Sequence, residues 1–270
     1  MAVDDRRPPL KWAGGKRWLL PQLQPLVPTD RRLVEPFCGG LAIALGLRPE
    51  RALLNDHNPH LINFYRQVQA GLSLDLEMRN ERQFYYDCRD RFNGLIARGE
   101  AATAEAAQLF YYLNRTGFNG LCRFNRQGGF NVPFGRYRRT DLDYRRDLSA
   151  LMAAMQAWEF RCGDFAALPV GTADWVYADP PYDCEFTQYS SVAFGWDEQV
   201  RLAHWLVGLG VPVIASNQAT ARVLELYRDL GFSVQVLEAP RRIACNGDRT
   251  PAREMLAFLG SFEGISPQPG

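Results

Sequence analysis

Two hydrophobic patterns alternate along the chain. Short apolar runs bounded by acidic, glycine or proline residues stand at RLVEPF (32–37), ALLND (52–56), WEFRC (158–162), DWVYA (174–178), VPVIASN (211–217), FSVQVLEA (232–239) and EMLAFL (254–259). Apolar runs of this length predict buried strands. Helical spacing follows the first run in LAIALGL and flanks VPVIASN at about 197–208 and 218–229. It dominates HLINFYRQVQ, RQFYYDCRDRFNGLIAR and AEAAQLFYYLNR, and no good strand falls between Asn58 and WEFRC. Strand, glycine turn, helix, strand is the opening of a nucleotide-binding α/β unit. The pattern therefore predicts an α/β protein whose sheet is interrupted by a mostly helical insertion of roughly 90 residues. Residues 1–56 and 148–264 are expected to form the core domain and 57–147 the insertion, with a frayed tail at 265–270.

Composition narrows the class. Hydrophobic residues make up 47% and charged residues 23% of 270, which is ordinary for a soluble globular chain. MAVDDRRPPL has no apolar core of the kind a secretory signal needs, and no apolar stretch reaches membrane-span length. A cytoplasmic protein with no membrane partner is expected. The six cysteines, Cys38, Cys88, Cys122, Cys162, Cys184 and Cys245, form no CxxC pair and suit free thiols. His57 and His60 have no cysteine or third histidine near them, so they are expected on a helix surface and no metal site is expected.

Charge is unevenly placed. The net charge is +1, yet residues 115–146 hold eight arginines against two aspartates, with six Phe or Tyr residues and five glycines interleaved. Such a segment suits a surface that meets phosphates and bases, or else a solvated loop in an arginine-rich chain. The only lysines are Lys11 and Lys16, both in KWAGGK. Lysine retained in an arginine-rich chain suggests a site that needs a compact ammonium.

Four strand ends carry candidate chemistry, as expected of sites beyond the carboxyl ends of parallel strands. Glu35 and Phe37 lead into Gly39 and Gly40, which permit close approach to the backbone. Asp56, 16 residues after Gly40, is placed either for ribose hydroxyls or as a helix cap. Asp164 suits an adenine amino group with Phe165 on the ring, or a simple turn. In DPPY (179–182) a carboxylate meets a rigid kink and an aromatic ring. An exocyclic base amine is a poor nucleophile because its lone pair is delocalised. A carboxylate and a Pro-Pro backbone carbonyl that accept its two N–H bonds would aim that lone pair at a methyl donor, with Tyr182 stacking on the flipped base. The donor that fits is S-adenosylmethionine.

With these motifs in view, the sequence resembles the DNA adenine methylase (Dam) family over nearly its whole length. KWAGGK (11–16) is similar to the donor-binding motif and VEPFCGG (34–40) to the first strand-turn motif. LNRTGFNGLCRFN with GGFNVPFGRY (113–137) resembles the target-recognition hairpin, DPPY the catalytic motif and CNGDRTPAREML (245–256) the closing block. The resemblance implies a Rossmann-like class I S-adenosylmethionine-dependent methyltransferase sheet with a DNA-recognition insertion whose hairpin spans 115–137. It implies a donor pocket of Trp12, Lys16, Asp56 and Asp179, with Phe37, Gly39, Asp164 and Phe165 nearby. Asp179, Pro180 and Tyr182 are the implied catalytic residues. The implied DNA contacts are Lys11, Phe118, Asn119, Leu121, Arg123, Asn125, Pro133 and Arg136, and the implied target is adenine within GATC in double-stranded DNA. Leu41 stands where many relatives have a further glycine, and Phe118 replaces a frequent tyrosine. A cytosine-N4 enzyme, a glutamine-modifying enzyme, a dehydrogenase and a non-catalytic DNA-binding regulator are the alternatives. Asp at the first position of DPPY disfavours the glutamine enzyme, the incomplete glycine fingerprint the dehydrogenase, and an intact DPPY the regulator.

Overall fold

The computed structural model describes residues 7–137, 148–182, 194–239 and 252–262. Seven strands form one sheet: β1 Arg32–Glu35, β2 Ala52–Asp56, β3 Trp158–Cys162, β4 Asp174–Ala178, β5 Val213–Gln218, β6 Ser233–Ala239 and β7 Ala252–Leu259. Their spatial order is β3-β2-β1-β4-β5-β7-β6. The first five pair in parallel, while β7 runs antiparallel between β5 and β6. The helices are α1 Leu20–Leu23, α2 Ala42–Leu47, α3 Pro59–Gln69, α4 Arg82–Ala97, α5 Ala104–Thr116, α6 Ser149–Ala154, α7 Trp196–Gly208 and α8 Ala221–Asp229. All seven expected strands are present; β2, β3 and β4 keep the expected ends and the others shift by one or two residues. VPVIASN, for example, is strand from Val213 to Gln218, and Pro212, which has no N–H to donate, contributes only its carbonyl, to the Val176 amide.

The central strands β1, β2, β4 and β5 are largely apolar and buried because both faces of the sheet are covered there. Successive residues point to opposite faces, and the two sides form separate cores. Leu33, Leu54, Trp175, Tyr177 and Ile214 pack beneath α2, α3 and the insertion. Val34, Leu53, Val176, Ala178, Val213 and Ala215 pack beneath α7 and α8. At the outer end of the parallel strands, Arg32 and Asp174 form a two-pronged ion pair at 2.8 and 2.9 Å that ties β1 to β4 at its start.

Helix α3 joins the sheet to the insertion. Its N-cap Asn58 accepts from the amides of His60 and Leu61. One side reaches β3, through Tyr65 stacked on Phe160 and Arg66 donating to the Phe160 carbonyl. The other meets α5, through Phe64 stacked on Tyr111. After α5 the chain enters a hairpin closed by antiparallel bridges Gly117–Phe134 and Phe124–Phe130. Its turn is built by Asn125, whose Oδ1 accepts from the amides of Gln127 and Gly129. Asn93 of α4 fastens it from below, accepting from the Phe130 amide and donating to its carbonyl.

His60 departs from expectation. It is not on a helix surface but buried, stacked 4.7 Å from Phe124 of the hairpin and edge-on to Phe92 of α4. The apolar stripe of α3 faces the insertion, and His60 lies on that stripe. Burial lowers its pKa from 6.5 to about 4. The folded protein thus refuses a proton that the unfolded chain accepts below pH 6.5, so stability falls as pH drops from there towards 4. A full shift of that size corresponds to about 3 kcal/mol. Urea unfolding of a His60→Phe variant should show a shallower loss of stability between pH 6.5 and 4 than the parent; equal slopes would place the acid sensitivity elsewhere.

Candidate active site at the carboxyl ends of the strands

Because β3, β2, β1 and β4 are neighbours, the four predicted strand ends lie side by side. The chain leaves β1 towards β2 on one side and β4 lies on the other, which is the switch point where open α/β sheets bind ligands.

Asp56 does not cap a helix; Asn58 does. Its Oδ2 instead accepts from the Gly39 amide at 3.1 Å, and Oδ1 from the Asn58 amide at 2.9 Å. Tyr65 donates to the Gly39 carbonyl at 2.7 Å, and Asn55 donates to the carbonyls of Pro36 and Gly163. The glycine turn is therefore held on several sides. Its openness admits a protein side chain: a Cβ at Gly39 would lie 2.7 Å from Trp12 Nε1, and one at Gly40 2.8 Å from Trp12 Cβ. Leu41 takes the left-handed conformation (φ 61°) natural to glycine while its side chain is fully buried. The backbone shape of the glycine-rich turn is thus kept, and burial of the leucine offsets the strain.

Phe37 and Phe165 meet with ring centroids 5.6 Å apart, and Phe194 joins both. Asp164 accepts from the Ala166 amide and is gripped by Arg201 at 2.6 and 3.0 Å. The Arg201 bond lowers the Asp164 pKa, and the guanidinium lies 4.0 Å over the Phe165 ring. Arg201, from α7, was not singled out in the sequence, because its link to Asp164 spans 37 residues with no motif between them.

The DPPY segment is the most constrained. Lys16, only 3% exposed, donates to the Gly14 carbonyl at 3.0 Å and pairs with both Asp179 oxygens at 2.8 and 3.0 Å. Ser216 of β5 donates to Asp179 Oδ1 at 3.0 Å and also bonds Tyr177. Burial pushes the Asp179 pKa up, and Lys16 and Ser216 oppose it. Buried Gln199 of α7 donates to the Pro181 carbonyl at 2.8 Å and accepts from Asn217 at 2.9 Å. Tyr182 donates its hydroxyl to Glu254 of β7, and its ring lies 4.7 Å from Lys16 Nζ. At the end of β1, Glu35 is buried with Oε1 lacking a protein partner; burial lifts its pKa well above the usual range, and the Asp179 charge adds to the rise.

Away from these strand ends, Lys11 donates Nζ to the Arg115 carbonyl at 2.9 Å and sits 3.8 Å from the Tyr137 ring centroid. Buried Asn114 accepts from the Lys11 amide and donates to the carbonyls of Lys11 and Gly120. On the hairpin, Phe118 and Leu121 are large exposed apolar side chains. Asn119 and Arg136 are left-handed, and the Pro133 carbonyl accepts from the Phe118 amide. Arg123 is braced by Asn131, through Nε to the side chain at 2.7 Å and Nη2 to the carbonyl. Cys184, Cys245, the arginines at 138–146, the start of the CNGDRTPAREML block and the tail lie outside the described residues.

Residues 12–243 match the D12 class of N6 adenine-specific DNA methyltransferases. The chain belongs to that family. It is 37% identical to the DNA N-6-adenine-methyltransferase of Escherichia phage P1 over 96% of this chain, although the match covers only 36% of that longer protein. It is 35% identical to the DNA adenine methylase of Vibrio cholerae over 93% of this chain and 95% of the relative. A type II methyltransferase of Lactococcus lactis, M1.LlaDCHI, is likewise 35% identical over 92% of both. Among solved structures, a methyltransferase from Pyrococcus furiosus aligns over 92% of this chain and 82% of its own at a TM-score of 0.40 and 13% identity. The strand order β3-β2-β1-β4-β5-β7-β6, with β7 antiparallel, is the Rossmann-like α/β sheet that the family resemblance led us to expect. No helix of the described residues is long and apolar enough to cross a membrane.

The buried Gln199 amide gives a direct prediction. Gln199→Leu keeps the volume but leaves the Pro181 carbonyl and the Asn217 amide without partners. Equilibrium unfolding should show a loss of about 1–3 kcal/mol, and kcat should fall because the Pro-Pro kink is no longer pinned. Parent-like values of both would remove Gln199 from the account of DPPY geometry.

Proposed function

We propose that the protein transfers the methyl group of S-adenosylmethionine to the N6 amino group of adenine in double-stranded DNA, within GATC, on a base swung out of the duplex. The observation that carries this reading is the acceptor arrangement at DPPY. Among the described residues Asp179 Oδ1 is met by Ser216 and Lys16, and Oδ2 only by Lys16. A carboxylate oxygen accepts two hydrogen bonds, so Oδ2 has room for one more. The Pro181 carbonyl is held by Gln199, and the Pro180 carbonyl beside it is assigned as the acceptor for a second N–H. Two acceptors fixed beside one aromatic ring suit an exocyclic amine whose lone pair has to be freed and aimed.

The family fold implies the donor, and the residues present fit it. Asp56, Trp12, Lys16, Phe37, Gly39, Asp164, Phe165 and Asp179 would hold it along the strand ends. The Asp179 and Glu254 carboxyl groups beside Lys16 and the buried Glu35 side chain supply the polar groups with which such a donor would be held. When bound, S-adenosylmethionine supplies an electrophilic methyl group. Asp179 and Pro180 orient the amine, Tyr182 supports the base, and Lys16 keeps Asp179 ionised.

DNA recognition is assigned to the hairpin. Phe118 and Leu121 expose apolar surface three residues apart on an arginine-bearing hairpin, a combination that suits contact with bases and phosphates. In this reading Phe118 wedges into the stack, Leu121 or Pro133 meets a thymine methyl and Arg123 reads a guanine, its plane set by Asn131. Asn119 and Arg136 flank these readers. Asn125 builds the turn with its side-chain oxygen, and Lys11 braces the base of the hairpin from the donor-side arm. Residues 57–147 would act together as the recognition unit, on a protein found in the cytoplasm with the DNA.

Labelled methyl transfer tests the reading on three duplexes: one GATC site, a permuted site, and a GATC already N6-methylated on both strands. Label is expected on the first alone; label on the permuted site would overturn the assignment of the target. Asp179→Ala should abolish transfer and leave DNA binding within a few-fold of the parent, since the carboxylate orients the amine and does not hold the duplex. Arg123→Ala should lose about 1–3 kcal/mol of discrimination at one guanine, seen as comparable kcat/KM on substituted sites.

A further inference from the structure

Glu254 belongs to no motif that the chemistry above has used, yet it reaches the centre of the site. It lies on the antiparallel strand β7, in register with Gln218 of β5 and Leu237 of β6, and is 3% exposed. Its Oε1 accepts the Tyr182 hydroxyl and stands 3.5 Å from Lys16 Nζ. Lys16 in turn contacts both oxygens of Asp179 and lies under the Tyr182 ring. One ammonium therefore serves two buried carboxylates, and the second of those carboxylates holds the ring.

A tyrosine at the exposed end of a strand has two soft side-chain torsions, and a ring plane that wanders cannot present a fixed face to a base. Contact with a cation on one face limits tilt but not rotation in the plane. A hydrogen bond at the far end of the ring removes that freedom, and the partner must itself be rigid. A strand residue paired on both sides meets that condition. A carboxylate buried there carries a desolvation cost that a neutral residue would avoid, so its presence requires a compensating contact, and among the described residues Lys16 and Tyr182 supply it.

We propose that Glu254 is a positioning residue for methyl transfer: it fixes the Tyr182 ring through its hydroxyl and shares Lys16 with Asp179, so that the face supporting the target base and the carboxylate orienting its amine are set by one framework. The inference rests on the methyltransferase reading above, and its test begins by establishing transfer to a GATC duplex with the parent protein; absence of transfer there fails that reading, whatever the variants do.

With transfer established, kcat and both KM values are measured for Glu254→Ala, Tyr182→Phe, the double variant and Glu254→Gln. Fluorescence of 2-aminopurine at the target position is followed in parallel, and thermal melting checks that each variant is folded. Glu254→Ala and Tyr182→Phe should each lower kcat by about 10–100-fold, the scale of a misplaced reacting group, with KM for DNA little changed. The double variant should be no slower than the slower single one, because both remove the same tether. Glu254→Gln, which still offers an oxygen to Tyr182, should recover part of kcat and the parent fluorescence of the flipped base. Multiplying defects in the double variant, a parent-like Glu254→Ala or Tyr182→Phe, or a change confined to KM for the donor would overturn the proposal. If Glu254→Ala does not fold, Tyr182→Phe against Glu254→Gln decides: a full loss in the first and a large recovery in the second support it, and equal behaviour overturns it.

Discussion

The buried ion pair between Lys16 and Asp179 is the constraint around which the site is assembled. A carboxylate placed at the end of a covered strand is driven towards its neutral form, and a neutral acid is a weaker acceptor than an anion. Holding it ionised takes a cation within contact distance, and Lys16 supplies one from 163 residues away. An ammonium suits the place better than a guanidinium. Its three donors point to separate targets, the Gly14 carbonyl, Asp179 and Glu254, whereas a planar fork would favour one carboxylate. This accounts for lysine at position 16 in a chain that otherwise uses arginine almost throughout.

To deliver that ammonium, the segment 11–16 must be seated, and two anchors seat it. Trp12 fills the space that Gly39 and Gly40 leave open, which fixes the arm to the turn after β1. Lys11 is bonded through its backbone to Asn114, which also holds the Gly120 carbonyl at the base of the hairpin; a Cβ at Gly120 would collide with Lys11 at 2.2 Å. Six residues thus touch the glycine turn, the acidic strand end and the hairpin together. The base of the hairpin and Asp179 are thereby joined through one short segment.

Legibility differed between the parts for physical reasons. The central strands could be read because a doubly covered sheet demands apolar residues on both faces. The outer ones could be read because short apolar or alternating runs remain, and the ends because proline, glycine and aspartate stop pairing. Asp179, Lys16 and the hairpin stood out through local chemistry: a Pro-Pro kink, a rare residue type, a cluster of arginines and aromatics. His60 was misplaced because a lone histidine carries no local mark of which helix face it occupies. Gln199, Ser216 and Arg201 went unnoticed because each is an ordinary residue in an ordinary helix or strand, and Glu254 was read only as part of the closing block, with no role of its own. Each gains its role only by lying opposite a carbonyl, a carboxylate or a hydroxyl from another part of the chain.

By itself the sequence determined the fold class, the break in the strand pattern between β2 and β3, and the family, since these follow from periodicity and from motifs whose members are close in the chain. Tertiary structure alone decided who compensates whom. It set Arg201 on Asp164, Gln199 on Pro181, Glu254 between Tyr182 and Lys16, and Trp12 in the gap above two glycines. Those pairings depend on strand order and on distances of a few ångströms between residues tens to hundreds of positions apart, and electrostatic and hydrogen-bonding partners are chosen by such distances rather than by sequence neighbourhood.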